Sequence, residues 1–524
     1  MINRRDMMGG AVVGAALLTA GGAQARISGD GPLRTLLDKI AKGGPAVERL
    51  AVLKDFRPAN LSPVAQLDFD AVLQSLETEA EIVRRFPFGT GASSPYVVTT
   101  RSGVWLKAVD AAKSADAAAD AVKRLDTETA RIAEDAAKGV ILPAFVIDKV
   151  VAGLAQIAKA VEAAPDLAAA LGRQHDALIA LRSQAGKGIG VHRFKDGEAY
   201  YALLLKAAMG ADITPAQAWD RADAAAKALT ARAETLLTAQ GLREGTVGAR
   251  LAALSLDERW LYTDDDAGRD RLTADMNAWL ARAVARLPMS FATVAPGSRA
   301  VSMRRMSPAD EAARRQGYRE APSFDGSRPG VYYADLNTIR TRPSWTLPSV
   351  VHHESVAGHM VQMPLEEGSG AHPLRSRIAF PGFSEGWAIY AEQLADEEGA
   401  FAGDPLAQLG YIQWMLFRVG RLLADLGIHL KGWSVEKTTA FLNDLQGPPP
   451  VFSPVSQGIE RIAIGPAASA GQGLAWLELV RLREAARKLS GSGFDIRAFH
   501  DAVLAQGTLP LSMLRARVLG ASAA

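Results

Sequence analysis

The octet His352-His353-Glu354-Ser355-Val356-Ala357-Gly358-His359 gathers three of the chain's eight histidines around one glutamate. Imidazole ligates divalent metals and a neighbouring carboxylate can take a proton from water, so these types in one run suggest metal-assisted hydrolysis. In the zinc-peptidase pattern H-E-x-x-H the two histidines stand one helical turn apart, about 40° around the axis, and both rings reach one ion. Here the second histidine follows His353 by six positions, about 240° on a regular helix, and would point away. The backbone must therefore depart from the helix, and Gly358, tolerant of most φ/ψ combinations, stands where the distortion is needed. A single π-bulge absorbs only one extra residue, so the expectation is a helix that stops near Val356 and restarts near Gly358. On spacing alone, metal ligation and ordinary non-ligand histidines both stay open.

A second run lies downstream, Phe383-Ser384-Glu385-Gly386-Trp387-Ala388-Ile389-Tyr390-Ala391-Glu392. Glu385 and Glu392 share a helix face, and their apolar neighbours argue that the helix is mostly buried. Buried carboxylates need a partner. A metal with its histidines would supply one, with Glu385 as third ligand and Glu392 orienting an imidazole; pairing with Arg375 or Arg377 on an ordinary helix is the alternative. The chain has no cysteine, which leaves imidazole and carboxylate as ligands. That set suits zinc without excluding other divalent metals.

The elements that must carry these runs read as mainly α. Alanine is abundant, aromatics make up only 6%, and β-branched runs are few. Val104 to Ala137 has the spacing of one amphipathic helix, and Thr214-Pro215 reads as an N-cap with proline at the first helical position. Residues 87–95 and 186–190 read as loops. After Pro288, Ala300 to Met306 and Val331 to Leu336 read as strands of a small sheet, and helices resume near Thr346. The expected organisation is a helical part over 26–290 and a part over 291–524 that holds the sheet and the metal-site helices, packed as one unit.

Residues 1–25 have the pattern of a signal peptide: Arg4-Arg5, a short apolar Gly/Ala-rich run, and Ala23-Gln24-Ala25 before the cleavage point. The paired arginines favour the twin-arginine route and a periplasmic protein. The apolar run is short of the ~20 residues that span a bilayer, so no membrane association is expected after cleavage. A net charge of +2 with no basic tract gives no footprint for nucleic acid.

HHESVAGH followed by FSEGWAIYAE resembles the bacterial family called domain of unknown function 885, whose members carry H-E-x-x-P-G-H and E-G-W-A-x-Y-A-E and are similar to helical zinc carboxypeptidases and oligopeptidases. The resemblance extends through GEAYYALLLKAAMGADITPAQAWDRA, FDGSRPGVYYADLN, RLLADLGIHLKGWS and ERIAIGPAASAGQG. It implies a large multi-helix metallopeptidase-like fold with a small sheet near the cleft, His353, His359 and Glu385 as ligands of one zinc ion, and Glu354 as general base. It also implies places for His429 and Arg461 along a substrate cleft and gives His352 no role. The chain departs from the family pattern at Ala357, where proline is usual, and at Ile462 and Gln472, where tyrosines are usual.

The activity so implied is hydrolysis of peptide bonds in short peptides, with Tyr332, Tyr333, Tyr390, His429 and Arg461 as candidates to stabilise the oxyanion. The Val331 to Leu336 strand is either an edge for an extended peptide or an internal strand. A periplasmic metal- or peptide-binding protein that has lost its chemistry is the alternative class. No G-x-S-x-G elbow surrounds any serine, which disfavours a serine hydrolase.

Overall fold

Thr214 Oγ1 accepts from the Gln217 amide while Gln217 Oε1 accepts from the Thr214 amide. This capping box and Pro215 start the helix Pro215–Ala239, as Thr214-Pro215 predicts. The expected helix from Val104 to Ala137 is instead broken. A 3-10 turn over Val104–Lys107 and a short helix Ala108–Ala111 precede Ala115–Ala137, because the Ser114 side chain caps a new N-terminus by accepting from Ala117 N–H. The computed structural model describes residues 29–57, 60–91, 94–448 and 454–520; the expected signal peptide lies outside them.

The fold is mainly α with one small sheet. Its strands are β1 (Val301–Arg305), β2 (Tyr318–Glu320) and β3 (Gly330–Ala334), in the order β1-β3-β2. β3 pairs parallel to β1 and antiparallel to β2, so it is the internal strand. Both its edges are taken, so of the two alternatives left open for this strand the internal one holds and the peptide-binding edge does not. β2, which the residue pattern did not reveal, holds Arg319 opposite Tyr332.

The site rests on six helices: α1 (Leu347–Glu354), α2 (His359–Gly368), α3 (Phe383–Glu397), α4 (Pro405–Lys431), α5 (Val455–Ile464) and α6 (Ala468–Ser490). α3 lies so close along α6 that a Cβ on Gly386 would stand 2.3 Å from Ala475 Cβ, so the small residue sets the helix separation. α4 is apolar nearly all round and almost wholly buried, as a helix at the centre of a bundle must be. One hydrophobic core runs from Ile82 to Leu514 and includes β3 and helices from both ends of the chain. Among the described residues no helix is long and apolar enough to cross a membrane.

Candidate metal centre

α1 ends at Glu354 and α2 begins at His359, so the helix stops two residues earlier than the sequence suggests and restarts one later. Between them Gly358 N–H donates to His352 O and Met360 N–H to Ser355 O, bonds that satisfy the broken ends of the two helices. The Val356–Ala357 peptide is cis. Gly358 is needed for close approach: a Cβ there would stand 2.1 Å from His353 O and 2.5 Å from His352 O. The break does what the six-residue spacing requires, and the His353 and His359 rings meet edge to face with centroids 5.0 Å apart.

α3 brings the third group. Glu385 Oε2 is 3.5 Å from His353 Nε2 and Glu385 Oε1 is 3.5 Å from His359 Nε2. One atom from each of the three side chains lies within 4.8 Å of the others. Ligands at about 2.1 Å from a tetrahedral zinc are separated by roughly 3.4 Å, so both carboxylate-to-imidazole separations suit one ion.

Hydrogen bonds behind the rings decide which nitrogens carry protons. Glu392 Oε1 lies 2.9 Å from His353 Nδ1 and Glu392 Oε2 accepts from Ser349 at 2.6 Å. The carboxylate can only accept, so Nδ1 holds a proton and Nε2 is the ring nitrogen turned to Glu385. For His359 the chain of donors is longer. Gln362 Nε2 donates to Glu366, which turns Gln362 Oε1 towards the Ser384 hydroxyl. Ser384 donates there and accepts from His359 Nδ1 at 3.2 Å, leaving His359 Nε2 a buried nitrogen with no hydrogen-bond partner. A buried lone pair without a partner is costly, and it faces Glu385. The Nε2 atoms of both imidazoles and the Glu385 carboxylate, turned to one another, therefore fit a divalent cation, zinc by ligand type.

The electrostatics are tightly set. Burial works against charge on Glu385, but the His353 and His359 imidazoles beside it outweigh it and hold its carboxyl well below the usual range. Burial likewise opposes a charged Glu354, but Arg319 and the two imidazoles keep its pKa low. Arg319 Nε and Nη2 both donate to Glu354 Oε2, at 3.1 and 2.6 Å, which leaves Oε1 uncommitted. Burial pushes the Tyr332 phenol up, as does the charge of Glu354, so Tyr332 is a neutral donor.

A cavity of about 230 Å³ opens onto His353, Glu354 and Glu385, and Arg461 and Tyr332 also line it. Three expected cleft residues, Tyr390, His429 and Tyr333, lie elsewhere. Tyr390 is fully buried and bonds His500 Nε2 at 2.8 Å and Arg483 at 3.3 Å; its helix turns Glu385 to the cavity and the phenol into the core. His429 Nδ1 accepts from Val191 N–H and its Nε2–H donates to Ile462 O, so the ring is a neutral packed link and burial drops its pKa to about 3. Tyr333 stacks on Tyr318 and is not a lining residue. His352 packs edge-on against Phe401. Of the departures in the C-terminal motif, which include Ala467-Ala468 where the family pattern has Gly-Gln, Ile462 lines the cavity and Ala467, Ala468 and Gln472 do not. The residue pattern missed Arg319, Arg418 and Arg421, all lining residues; two arginines one turn apart in the otherwise apolar α4 were the available signal.

A model of the family described as bacterial protein of unknown function (DUF885) matches residues 41–518. Among solved structures, a chain described provisionally as a lipoprotein from Colwellia psychrerythraea is 24% identical over 90% of each chain, with a TM-score of 0.75. Another, described provisionally as a lipoprotein of unknown function from Shewanella oneidensis, is 18% identical, covers 95% of this chain and 94% of that one, and has a TM-score of 0.66. At these identities the likeness shows the fold. No curated protein matches.

Proposed function

Because the chain belongs to a bacterial family of unknown function, DUF885, its activity must be read from its own residues, and we propose that it is a zinc-dependent hydrolase of peptide bonds in short peptides. The observation that carries this reading is the convergence of His353, His359 and Glu385 beside Glu354 at the wall of one cavity. A zinc ion held by these three side chains would polarise the scissile carbonyl and lower the pKa of a water towards 7. Glu354 Oε1, left free by Arg319, accepts the proton of the attacking water and passes it to the leaving amine. Arg319 fixes the carboxylate in place. The neutral Tyr332 phenol on the cavity wall is the group that can donate to the developing oxyanion, an effect worth about 3 kcal/mol per bond.

Export to the periplasm by the twin-arginine route belongs to the same proposal. Export is supported by the N-terminal pattern of the sequence and by the lipoprotein descriptions of the two structural relatives; the route rests on Arg4-Arg5 alone.

One observation favours a second reading, a binding protein without turnover. The Arg319 guanidinium holds the Glu354 carboxyl down, which weakens it as a base, and Ile462 stands at the cavity where a tyrosine is usual in the family pattern. The two readings part in one experiment on the zinc-loaded protein with a mixed peptide library. Hydrolysis predicts cleavage by wild type and none by Glu354→Gln with zinc retained. Zinc retained by both and cleavage by neither leaves the binding reading.

A further inference from the structure

The charges around the cavity do not balance. Among the described residues Arg319, Arg418, Arg421 and Arg461 line it together with the acids Glu354 and Glu385. Arg319 is committed to Glu354. Arg418 and Arg421 stand one turn apart on α4, and the Nε of each is buried without a hydrogen bond. Arg421 spends one donor on Ser469 Oγ at 3.0 Å. Arg418 Nη2 stands 3.3 Å from His353 Nδ1 and 3.5 Å from Glu392 Oε1, so its remaining N–H groups are the ones open to a ligand, and its guanidinium lies 5.0 Å from the centre of the Trp414 ring. Arg461, on α5, lines the same cavity, and its guanidinium makes no hydrogen bond among the described residues. Burial, then the charge of Arg418, pushes the Arg421 guanidinium down to about 10. Like charges held together with idle donors cost stability unless an anion completes them, and a bound divalent cation would add to the imbalance.

We propose that Arg418, Arg421 and Arg461 form a carboxylate subsite beside the metal centre, so that the substrate carries a carboxylate close to the scissile bond. A guanidinium fork matches a carboxylate bidentately. The carboxylate has two sources in a peptide, a free C-terminus or an acidic side chain. The cavity is smaller than the roughly 300 Å³ at which sites for drug-sized ligands begin, which suits the end of a chain. This inference rests on the peptidase reading for its chemistry but not for its test, which measures binding.

The test uses zinc-loaded Glu354→Gln protein, which binds without turning over. Calorimetry compares a tripeptide with free C-terminus against its C-terminal amide, and a C-terminally amidated peptide bearing glutamate against its glutamine analogue. The expected result is binding about 10- to 100-fold tighter for the carboxylate member of one pair, and the pair that responds identifies the source. Arg421→Gln, and separately the less enclosed Arg461→Gln, reduce the preference towards unity while zinc content and the affinity of the uncharged member hold. Equal affinities within both pairs, or no binding of any of the four peptides, overturn the subsite. Loss of cleavage by wild type with the carboxylate preference intact counts against the hydrolase alone.

Discussion

Glu392 Oε1 lies 2.9 Å from His353 Nδ1, and both atoms are sealed from solvent. A carboxylate in that place fixes the imidazole tautomer and strengthens the opposite nitrogen as a donor to metal. Glu392→Gln keeps the shape and removes the charge. Zinc affinity falls about 10- to 100-fold, read by competition with a chromophoric chelator, while the variant folds. Unchanged affinity would show that the carboxylate is only packed there.

The turn between α1 and α2 has no room for a methyl group at position 358. Gly358→Ala drives a Cβ into His353 O, and overpacking of this kind costs about 1–3 kcal/mol. Thermal unfolding should drop, and the shift on adding zinc should shrink, since the collision bears on the ligand-bearing residue. Gly172→Ala is the control: nothing lies within 4 Å of its Cβ, and in a helix interior it should be neutral or stabilising by up to about 1 kcal/mol.

Tyr390 belongs to the core. Tyr390→Phe leaves His500 Nε2 without its donor, at a cost of about 1–3 kcal/mol in chemical denaturation. Zinc content and peptide cleavage should be those of wild type. A large loss of kcat with unchanged stability would instead place the phenol in the reaction.

Asp425 ties two of the longest sequence motifs together. Its carboxyl takes the Tyr201 hydroxyl at 2.7 Å and the amides of Ala467 and Ala470 at 3.0 Å each, so it caps α6 from within the core. Burial raises its pKa to about 6 against the hydrogen bonds that oppose the shift. Between the ordinary value of 3.8 and about 6 the native state keeps a proton that the unfolded chain has lost. Its contribution is therefore whole below 3.8 and is lost as pH rises to 6, an effect on the order of 3 kcal/mol. Denaturation across pH 3.5–7 should show that slope for wild type and a flatter one for Asp425→Asn.

Much of the site is legible in the sequence because its chemistry is local. The octet carries two of the three converging side chains and the proposed base, its odd spacing forces a break, and Glu385 with Glu392 mark one face of a helix. What was not legible depends on packing at long range. Arg319 reaches Glu354 only because β2 pairs with β3 in the register that sets it across from Tyr332, and the short β2 leaves no alternation to read. Tyr390 and His429 have residue types suited to catalysis, but their partners, His500 and Val191, come from distant segments. The mainly α character followed from composition, while the break at Ser114 shows a local cap overriding a continuous amphipathic pattern.

Metal content tests the account most directly. Purified protein exposed to zinc and dialysed against metal-free buffer is analysed by inductively coupled plasma mass spectrometry, with circular dichroism to establish folding. Wild type and Glu354→Gln should retain one zinc per chain, and His353→Ala, His359→Ala and Glu385→Ala should retain almost none while still folded. A folded wild type that holds no ion, or stoichiometric zinc that survives all three ligand substitutions, would contradict it.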